Sequence, residues 1–193
     1  MTQKAERFMG KINSHIDAML SLKSEREAFT EASRVINDCL ANGGKLVIFG
    51  NGGSAADSQH FAAEVIGRFR RDRRALPAVA LTTDSSALTA IGNDFGFESI
   101  FSRQIEGLCS SSDVAIGLTT SGSSVNVKAG FEAARNLGVF TIAMTGKAGS
   151  ERLGSSVDLV LMVDSDASAI IQEAHLFLYH ALCEEIDEFF VAE

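Results

Sequence analysis

Two residues that could bind a metal or move a proton follow the glycine-rich segment GNGGS at 50–54. His60 and Glu64 are four residues apart, so on a helix they project from nearly the same face and their side-chain heads can meet. An imidazole and a carboxylate at this spacing suit metal ligation or general acid–base chemistry. A surface histidine near a helix start, followed by a solvated glutamate, would give the same spacing, which leaves both interpretations open.

The C-terminal segment IQEAHLFLYHALCEE offers further groups of the same kind. Gln172 and His180 are eight residues apart and lie on one broad face of a helix predicted over 167–190. Two histidines and one carboxylate form a ligand set of catalytic zinc, and a fourth position remains for substrate or a neutral side chain. His175 competes with His180 for the second histidine position, and a histidine on an apolar helix face is also a common core residue.

Three segments are rich in small residues and hydroxyls, namely GNGGS at 50–54, TTSGSS at 119–124 and TGKAGS at 145–150. Glycines let backbone N–H groups turn inward, hydroxyls add donors without bulk, and a following helix presents its positive end. Loops of this kind suit a phosphate monoester. Neither of the first two fits the dinucleotide fingerprint or the nucleotide P-loop, so a nucleoside triphosphate is disfavoured.

The TTSGSS loop is the strongest of the three because five of its six residues carry a hydroxyl. We predict Ser121 and Ser124 as phosphate ligands. The alternative for any single loop is an ordinary strand-to-helix turn, with Ser54 or Ser124 near the helix N-cap.

Short apolar runs alternate with helical patterns along most of the chain. This alternation predicts a parallel sheet covered by helices on both faces, with ligands bound beyond the carboxyl ends of the strands. The predicted strands lie at 45–50, 78–83, the start of 113–138, 139–146 and 157–163, and two amphipathic helices at 3–22 and 25–41 precede them. A loop is expected after the strand at 139–146.

Composition and charge limit the number of domains and the classes of function to be considered. The 193 residues, 46% of them hydrophobic, predict a single globular domain over 1–193. The net charge of −8 argues against nucleic-acid binding through a broad basic surface. The basic cluster GRFRRDRR at 67–74 is either a solvated helix end or a surface that grips an anion or a neighbouring subunit. With three dispersed cysteines and no leader-like or membrane-length run, we expect a cytoplasmic protein without membrane contact.

Five segments together resemble the phosphoheptose isomerase branch of the sugar isomerase (SIS) domain family. They are GNGGSAADSQHFAAE, LTTDSSALTAIGNDFGFE, GLTTSGSSVNV, TGK and IQEAHLFLYHALCEEID, spread over about residues 40–187. The resemblance implies an α/β, flavodoxin-like three-layer sandwich with a parallel sheet flanked by helices. It also implies a homotetramer with active sites at subunit interfaces, in which the N-terminal helices of 1–41 serve packing and oligomerisation.

The activity implied by the resemblance is conversion of sedoheptulose 7-phosphate to D-glycero-D-manno-heptose 7-phosphate, the first step toward bacterial surface heptose. The implied cofactor is one zinc ion per subunit, bound by the residues that match His60, Glu64, Gln172 and His180. The implied substrate contacts are Asn51, Gly52, Gly53, Ser54, Glu64, Asn93, Asp94, Thr119, Thr120, Ser121, Ser124 and Gln172.

Two positions depart from the family pattern. Members often read STSGNS where this chain has TTSGSS, so Ser123 replaces an amide, and many place an arginine where Ile170 precedes the IQE motif. The substrate contacts near Ser168 and Ala169 are therefore left open.

An aldose–ketose isomerase moves a proton between neighbouring carbons through an enediol, which requires a base, an acid and stabilisation of the enediolate. Glu64 is the predicted base and His180 the predicted acid. Two alternatives remain at this point. One is a non-enzymatic SIS-domain regulator that binds the replication initiator protein, whose motif lacks a match to Glu64. The other is an isomerase or sensor for another phosphosugar.

Overall fold

Residues 2–191, which the computed structural model describes, contain one sheet of five parallel strands. The strands are β1 Leu46–Gly50, β2 Ala78–Ala80, β3 Val114–Thr119, β4 Phe140–Gly146 and β5 Leu159–Val163. Their order in the sheet is β2-β1-β3-β4-β5. All five lie within the predicted apolar runs, and β1 and β3 are buried along their whole length, as expected for central strands covered on both faces.

The same residues form eight α-helices. They are α1 Gln3–Ser21, α2 Arg26–Ala41, α3 Gly53–Ile66, α4 Ser85–Phe95, α5 Ser102–Leu108, α6 Val125–Asn136, α7 Lys147–Leu153 and α8 Ser168–Val191. The helices α5 and α7 were not predicted, and α7 occupies the segment expected to be a loop. Each has seven residues, which is too short for a helical period to stand out in the sequence. None of the eight combines the length and apolar character that crossing a membrane would require.

The sheet separates two apolar clusters because alternate residues of a strand face opposite sides. Leu46 and Ile48 of β1 face the cluster under α2, α3 and α8. Val47 and Phe49 of the same strand face the cluster under α5 and α6. This is the predicted flavodoxin-like, three-layer α/β/α fold.

The reversal in strand order falls between β1 and β3. The first connection runs from β1 through α3 to β2, and the other runs from β3 through α6 to β4 on the opposite face. Open parallel sheets bind ligands in the crevice at such a point, beyond the carboxyl ends of the strands. GNGGS begins at the last residue of β1, and TTSGSS begins at the last residue of β3. Two of the predicted phosphate loops therefore lie at this crevice.

The helix α1 packs on α8 but buries little of its own apolar surface. Ala18 is the buried residue of this helix, whereas Phe8, Met9, Ile16 and Leu20 remain exposed. An exposed apolar stripe rimmed by polar residues is typical of a surface that contacts another molecule.

The basic cluster is anchored rather than fully solvated. The Arg73 side chain, 0% exposed, forms an ion pair of 2.8 Å with Asp187 of α8, which is 2% exposed. The backbone N–H groups of Arg70 and Arg71 donate to the other oxygen of Asp187 at 2.6 and 2.9 Å. Arg73 also donates to the Glu64 carbonyl at 3.0 Å. The segment therefore ties the end of α3 to α8, a role that neither sequence-based alternative included.

Candidate metal and substrate site

The turn between β1 and α3 depends on glycine. Gly52, at the N-cap of α3, has a φ of 58°, in a region that L side chains rarely adopt. A Cβ on Gly50 would lie 2.7 Å from the Leu118 carbonyl oxygen of β3. The first N–H groups of α3, on Gly53 and Ser54, have no helical acceptor, and the N-cap residue Gly52 has no side chain to cap them. They are therefore placed to bind an anion at a helix N-terminus.

Further along α3, His60 and Glu64 meet His180 of α8 in one cluster. One ligand atom from each of the three lies within 4.8 Å of the others. His60 Nε2 is 3.0 Å from Glu64 Oε1, and the His60 and His180 rings meet edge to face with centroids 5.1 Å apart. The cluster forms because α3 and α8 pack side by side on the same face of the sheet.

Aromatic side chains hold both imidazoles. The Tyr179 hydroxyl lies 2.9 Å from His60 Nδ1, and the Phe69 ring packs on the His180 ring with centroids 5.0 Å apart. Burial lowers the pKa of His180, and the neighbouring His60 lowers it further. The neutral imidazole, which offers a lone pair to a metal, is therefore favoured.

The three side chains fit a zinc ion. Two histidines and a glutamate are an established ligand set of catalytic zinc sites. Nε2 of His180 is buried and has no hydrogen-bond partner within residues 2–191. Burying an unpaired polar atom is costly, and binding a metal ion through this nitrogen would give it a partner.

Gln172, the fourth predicted ligand, lies against the start of α3. A Cβ on Gly53 would be 2.6 Å from Gln172 Nε2 and 3.0 Å from its Oε1, so the amide fills space that only a glycine leaves. The structure therefore places Gln172 beside the GNGGS turn at the start of α3, whereas His60, Glu64 and His180 gather further along that helix.

His175, the competitor of His180, lies in the core. It is fully buried, and neither ring nitrogen has a hydrogen-bond partner in the described part of the chain. Burial lowers the pKa of His175 to about 4, so the ring is neutral at physiological pH. The structure brings His180, not His175, into the cluster.

The TTSGSS loop is closed by its own hydroxyls. Thr119 Oγ1 accepts from the Gly122 N–H at 3.2 Å, and the hydroxyls of Ser121 and Ser123 are 2.6 Å apart. Ser124 occupies the N-cap of α6, but its side chain makes no capping bond. An ordinary N-cap serine would accept from the helix N–H groups. The start of α6 is therefore left for an external acceptor.

The helix α7, which follows β4 directly, packs against this loop. A Cβ on Gly122 would lie 2.7 Å from Gly149 Cα of α7, so the backbone of the loop contacts the backbone of the helix. Arg152 of α7 donates to the Ser121 carbonyl at 2.7 Å. The TGKAGS segment thus positions the TTSGSS loop, a role that the sequence did not distinguish from direct phosphate binding.

Asn51 is held by Asn126, a residue that the sequence did not single out. The two side-chain amides bond reciprocally at 2.8 and 3.0 Å. Asn126 is buried near the start of α6, so the pair ties the turn after β1 to the helix after β3. A polar residue two positions after TTSGSS was visible in the sequence, but its partner was not.

The remaining predicted contacts make hydrogen bonds outside the group of His60, Glu64 and His180. Thr120 Oγ1 is 3.2 Å from the Ser168 hydroxyl at the start of α8. Asn93 and Asp94, exposed near the end of α4, bond to each other at 2.7 Å. Within residues 2–191, neither Asn93 nor Asp94 forms a hydrogen bond with any other predicted site residue.

The sheet order and the two crevice loops define a flavodoxin-like α/β protein, and the His–Glu–His cluster gives it a group of side chains that could hold a metal. In agreement, a family model described as the SIS domain matches residues 7–146. A phosphoheptose isomerase from Aquifex aeolicus is 51% identical over 162 residues, which cover 84% of this chain and 84% of that protein. One from Citrifermentans bemidjiense is 47% identical over 182 residues, covering 93% of this chain and 94% of that protein.

The solved structure of a phosphoheptose isomerase from Neisseria gonorrhoeae superposes with a TM-score of 0.89 at 42% identity. The match covers 96% of this chain and 100% of that one. The chain belongs to the SIS domain family and, within it, to the phosphoheptose isomerases.

Proposed function

We propose that the protein is an aldose–ketose isomerase that converts sedoheptulose 7-phosphate to D-glycero-D-manno-heptose 7-phosphate through an enediol or enediolate. The observation that carries this proposal is the cluster of His60, Glu64 and His180 on helices that begin at the crevice. The activity named for the similar proteins supports it. One helix, α3, offers an anion site at its start and reacting groups about two to three turns further on.

The reaction removes a proton from C1 of the ketose and returns a proton to C2. Glu64 is the proposed base because its carboxylate lies inside the cluster, 3.0 Å from His60. His180 is the proposed acid for the substrate oxygens. Its neutral ring keeps one N–H, which can donate to an oxygen on which negative charge develops.

We further propose one zinc ion per subunit, held by His60, Glu64 and His180, with Gln172 as the fourth ligand. When bound, zinc would polarise the substrate carbonyl as a Lewis acid. The grouping of His60, Glu64 and His180 around one point supports the proposal. Gln172 lies against Gly53 and outside that group, so its role as a ligand remains a prediction. A metal-bound glutamate is a weaker base, so the two roles of Glu64 need separate tests.

The phosphate of the substrate is proposed to bind between the start of α3 and the TTSGSS loop. Ser121 and Ser124, the N–H groups of Gly53 and Ser54, and the start of α6 would supply the donors. Because the amide of Asn51 is used by Asn126, its contact with substrate would come from the backbone. Binding of the remote phosphate would fix the reacting carbons over Glu64.

The two alternatives fare differently. None of the similar proteins named above is a regulator that binds the replication initiator, and Glu64, which the motif of that regulator lacks, is present here. A different phosphosugar would use the same phosphate loops and the same base. Turnover of a panel of ketose phosphates of different chain length would distinguish it from the heptose substrate.

A homotetramer with active sites at subunit interfaces, a cytoplasmic location and a place in lipopolysaccharide heptose synthesis are also proposed. The exposed Phe8, Met9, Ile16 and Leu20 of α1 support association through this helix. Sedimentation of the full chain would test the assembly.

Removing the metal is expected to abolish isomerisation of sedoheptulose 7-phosphate, and one equivalent of zinc per chain is expected to restore it. The reason is that the enediolate would lose its positive partner. Turnover is measured on purified protein before chelation, after it, and after readdition of zinc or, as a control, magnesium. Full turnover by metal-free protein would contradict the zinc proposal.

Replacing Gly53 with alanine is expected to lower kcat/KM by about tenfold to a hundredfold, because the new Cβ would displace the amide of Gln172 and misplace the reacting end. Gly107→Ala is the matched control, since a Cβ there meets nothing within 4 Å. Equal kcat/KM in the Gly53→Ala variant and the wild type would show that the close contact with Gln172 does not matter for the reaction.

A further inference from the structure

Tyr179 contacts the nitrogen of His60 that faces away from Glu64. Its hydroxyl is 2.9 Å from His60 Nδ1, and its ring stacks on Phe61 with centroids 5.3 Å apart and planes 16° apart. The side chain is fully buried. The hydroxyl is therefore held at His60 by the packing of the core, and the mechanism proposed above does not use it.

These contacts allow two positions for the ring proton of His60. With the proton on Nε2, His60 donates to Glu64, 3.0 Å away, and Nδ1 accepts from the Tyr179 hydroxyl. For Nε2 to bind a metal, the ring proton must be on Nδ1, which then donates to the Tyr179 oxygen. A phenol serves both states because it can donate and accept, whereas a phenylalanine serves neither.

We propose that Tyr179 is a positioning residue for metal binding: it fixes the His60 ring and supports Nε2 as the ligand atom. This inference rests on the metal site in the proposed function. Partners that bond the second nitrogen of a metal-binding histidine orient the ring and raise its basicity, and losing one costs about 10- to 100-fold in metal affinity. The helix α8 thus supplies the proposed ligand His180. Its preceding residue, Tyr179, is the hydrogen-bond partner of the proposed ligand His60.

Tyr179 also makes the site observable. It is the only tyrosine in a chain without tryptophan, so tyrosine emission reports this one residue. With Nε2 of His60 bound to a metal, Nδ1 would donate to the Tyr179 oxygen, and phenol emission depends on that hydrogen bond. The emission is therefore expected to change on addition of zinc and to level off at one equivalent per chain.

The test is Tyr179→Phe in the full chain. Zinc affinity is measured on metal-free protein by competition with a chromophoric chelator, and the variant is expected to bind zinc about 10- to 100-fold more weakly than the wild type. The phenylalanine ring keeps the stacking on Phe61, so the circular dichroism spectrum is expected to be unchanged. Ser58→Ala is the matched control. It removes another buried hydroxyl of this site region, which donates to the Ser54 carbonyl at 2.7 Å, and zinc affinity should stay at the wild-type value.

The inference alone fails if Tyr179→Phe and the wild type bind zinc equally while the wild type is active. It also fails if zinc binds in the chelator assay without any change in tyrosine emission. A wild-type protein that binds no zinc overturns both the inference and the metal site, and turnover of sedoheptulose 7-phosphate by that protein would show that the isomerase activity stands without them.

Discussion

Replacing Glu64 with glutamine is expected to lower kcat by about 10² to 10⁴-fold, the range that general acid–base catalysis contributes. Glutamine has nearly the shape of glutamate and can still accept from His60, but it cannot take a proton from C1. Turnover of sedoheptulose 7-phosphate measures the loss. Exchange of the substrate C1 proton with deuterated water, followed by NMR, shows whether proton removal is the step affected.

The zinc content of the Glu64→Gln variant separates the two roles of this residue. Loss of exchange with zinc retained assigns Glu64 as the base, and loss of both assigns it mainly to metal binding. Glu132→Gln, a substitution of an exposed carboxylate on α6, is the control and should leave turnover unchanged. A Glu64→Gln variant with kcat within tenfold of wild type would remove Glu64 from the mechanism.

Replacing Asp187 with alanine is expected to destabilise the fold by about 3–5 kcal/mol, because it leaves the Arg73 guanidinium buried without its partner. Urea unfolding at a fixed protein concentration measures the loss, since assembly makes stability depend on concentration. Asp72→Ala is the matched control. Asp72 pairs with Arg68 while 93% exposed, and loss of an exposed pair costs about 0–1 kcal/mol. A loss below about 1 kcal/mol for Asp187→Ala would contradict the role of the ion pair.

The contribution of Asp187 also has a defined dependence on pH. Burial would raise its pKa, but the bonds from the N–H groups of Arg70 and Arg71 and from Arg73 outweigh burial and hold the pKa below the ordinary value of 3.8. A carboxyl with a lowered folded pKa stabilises the fold at every pH above its unfolded pKa. The difference between wild type and Asp187→Ala should therefore be constant near neutrality and should shrink only as the medium becomes acidic.

The features predicted correctly from the sequence depend on residues close together in the chain. The order of strands, loops and helices follows from local apolar patterns, and the His60–Glu64 contact follows from the geometry of one helix turn. The choice between His175 and His180 could not be made this way, because the helix α8 is apolar over much of its surface. The family resemblance implied His180, and the packing of α8 against α3 places its ring, not that of His175, in the cluster.

Other parts of the site depend on pairs that the fold alone brings together. Asn51 and Asn126 are 75 residues apart in the chain, and Arg73 and Asp187 are 114 apart. Each residue taken singly has an ordinary explanation, as a turn asparagine or as a solvated charge. The role of each residue depends on which residue it pairs with, and a single sequence does not indicate that pairing.

The two apolar clusters on opposite faces of the sheet have a consequence for redesign. The cluster of His60, Glu64 and His180 belongs to the α3–α8 face, whereas α6, which follows the TTSGSS loop, belongs to the other. Substitutions in contact couple strongly, and distant ones add nearly independently. A designer who varies the packing beneath α8 would change the surroundings of the reacting groups while α6 and the TTSGSS loop keep theirs. The packing of α3 must be kept, because the start of this helix is also part of the proposed phosphate site.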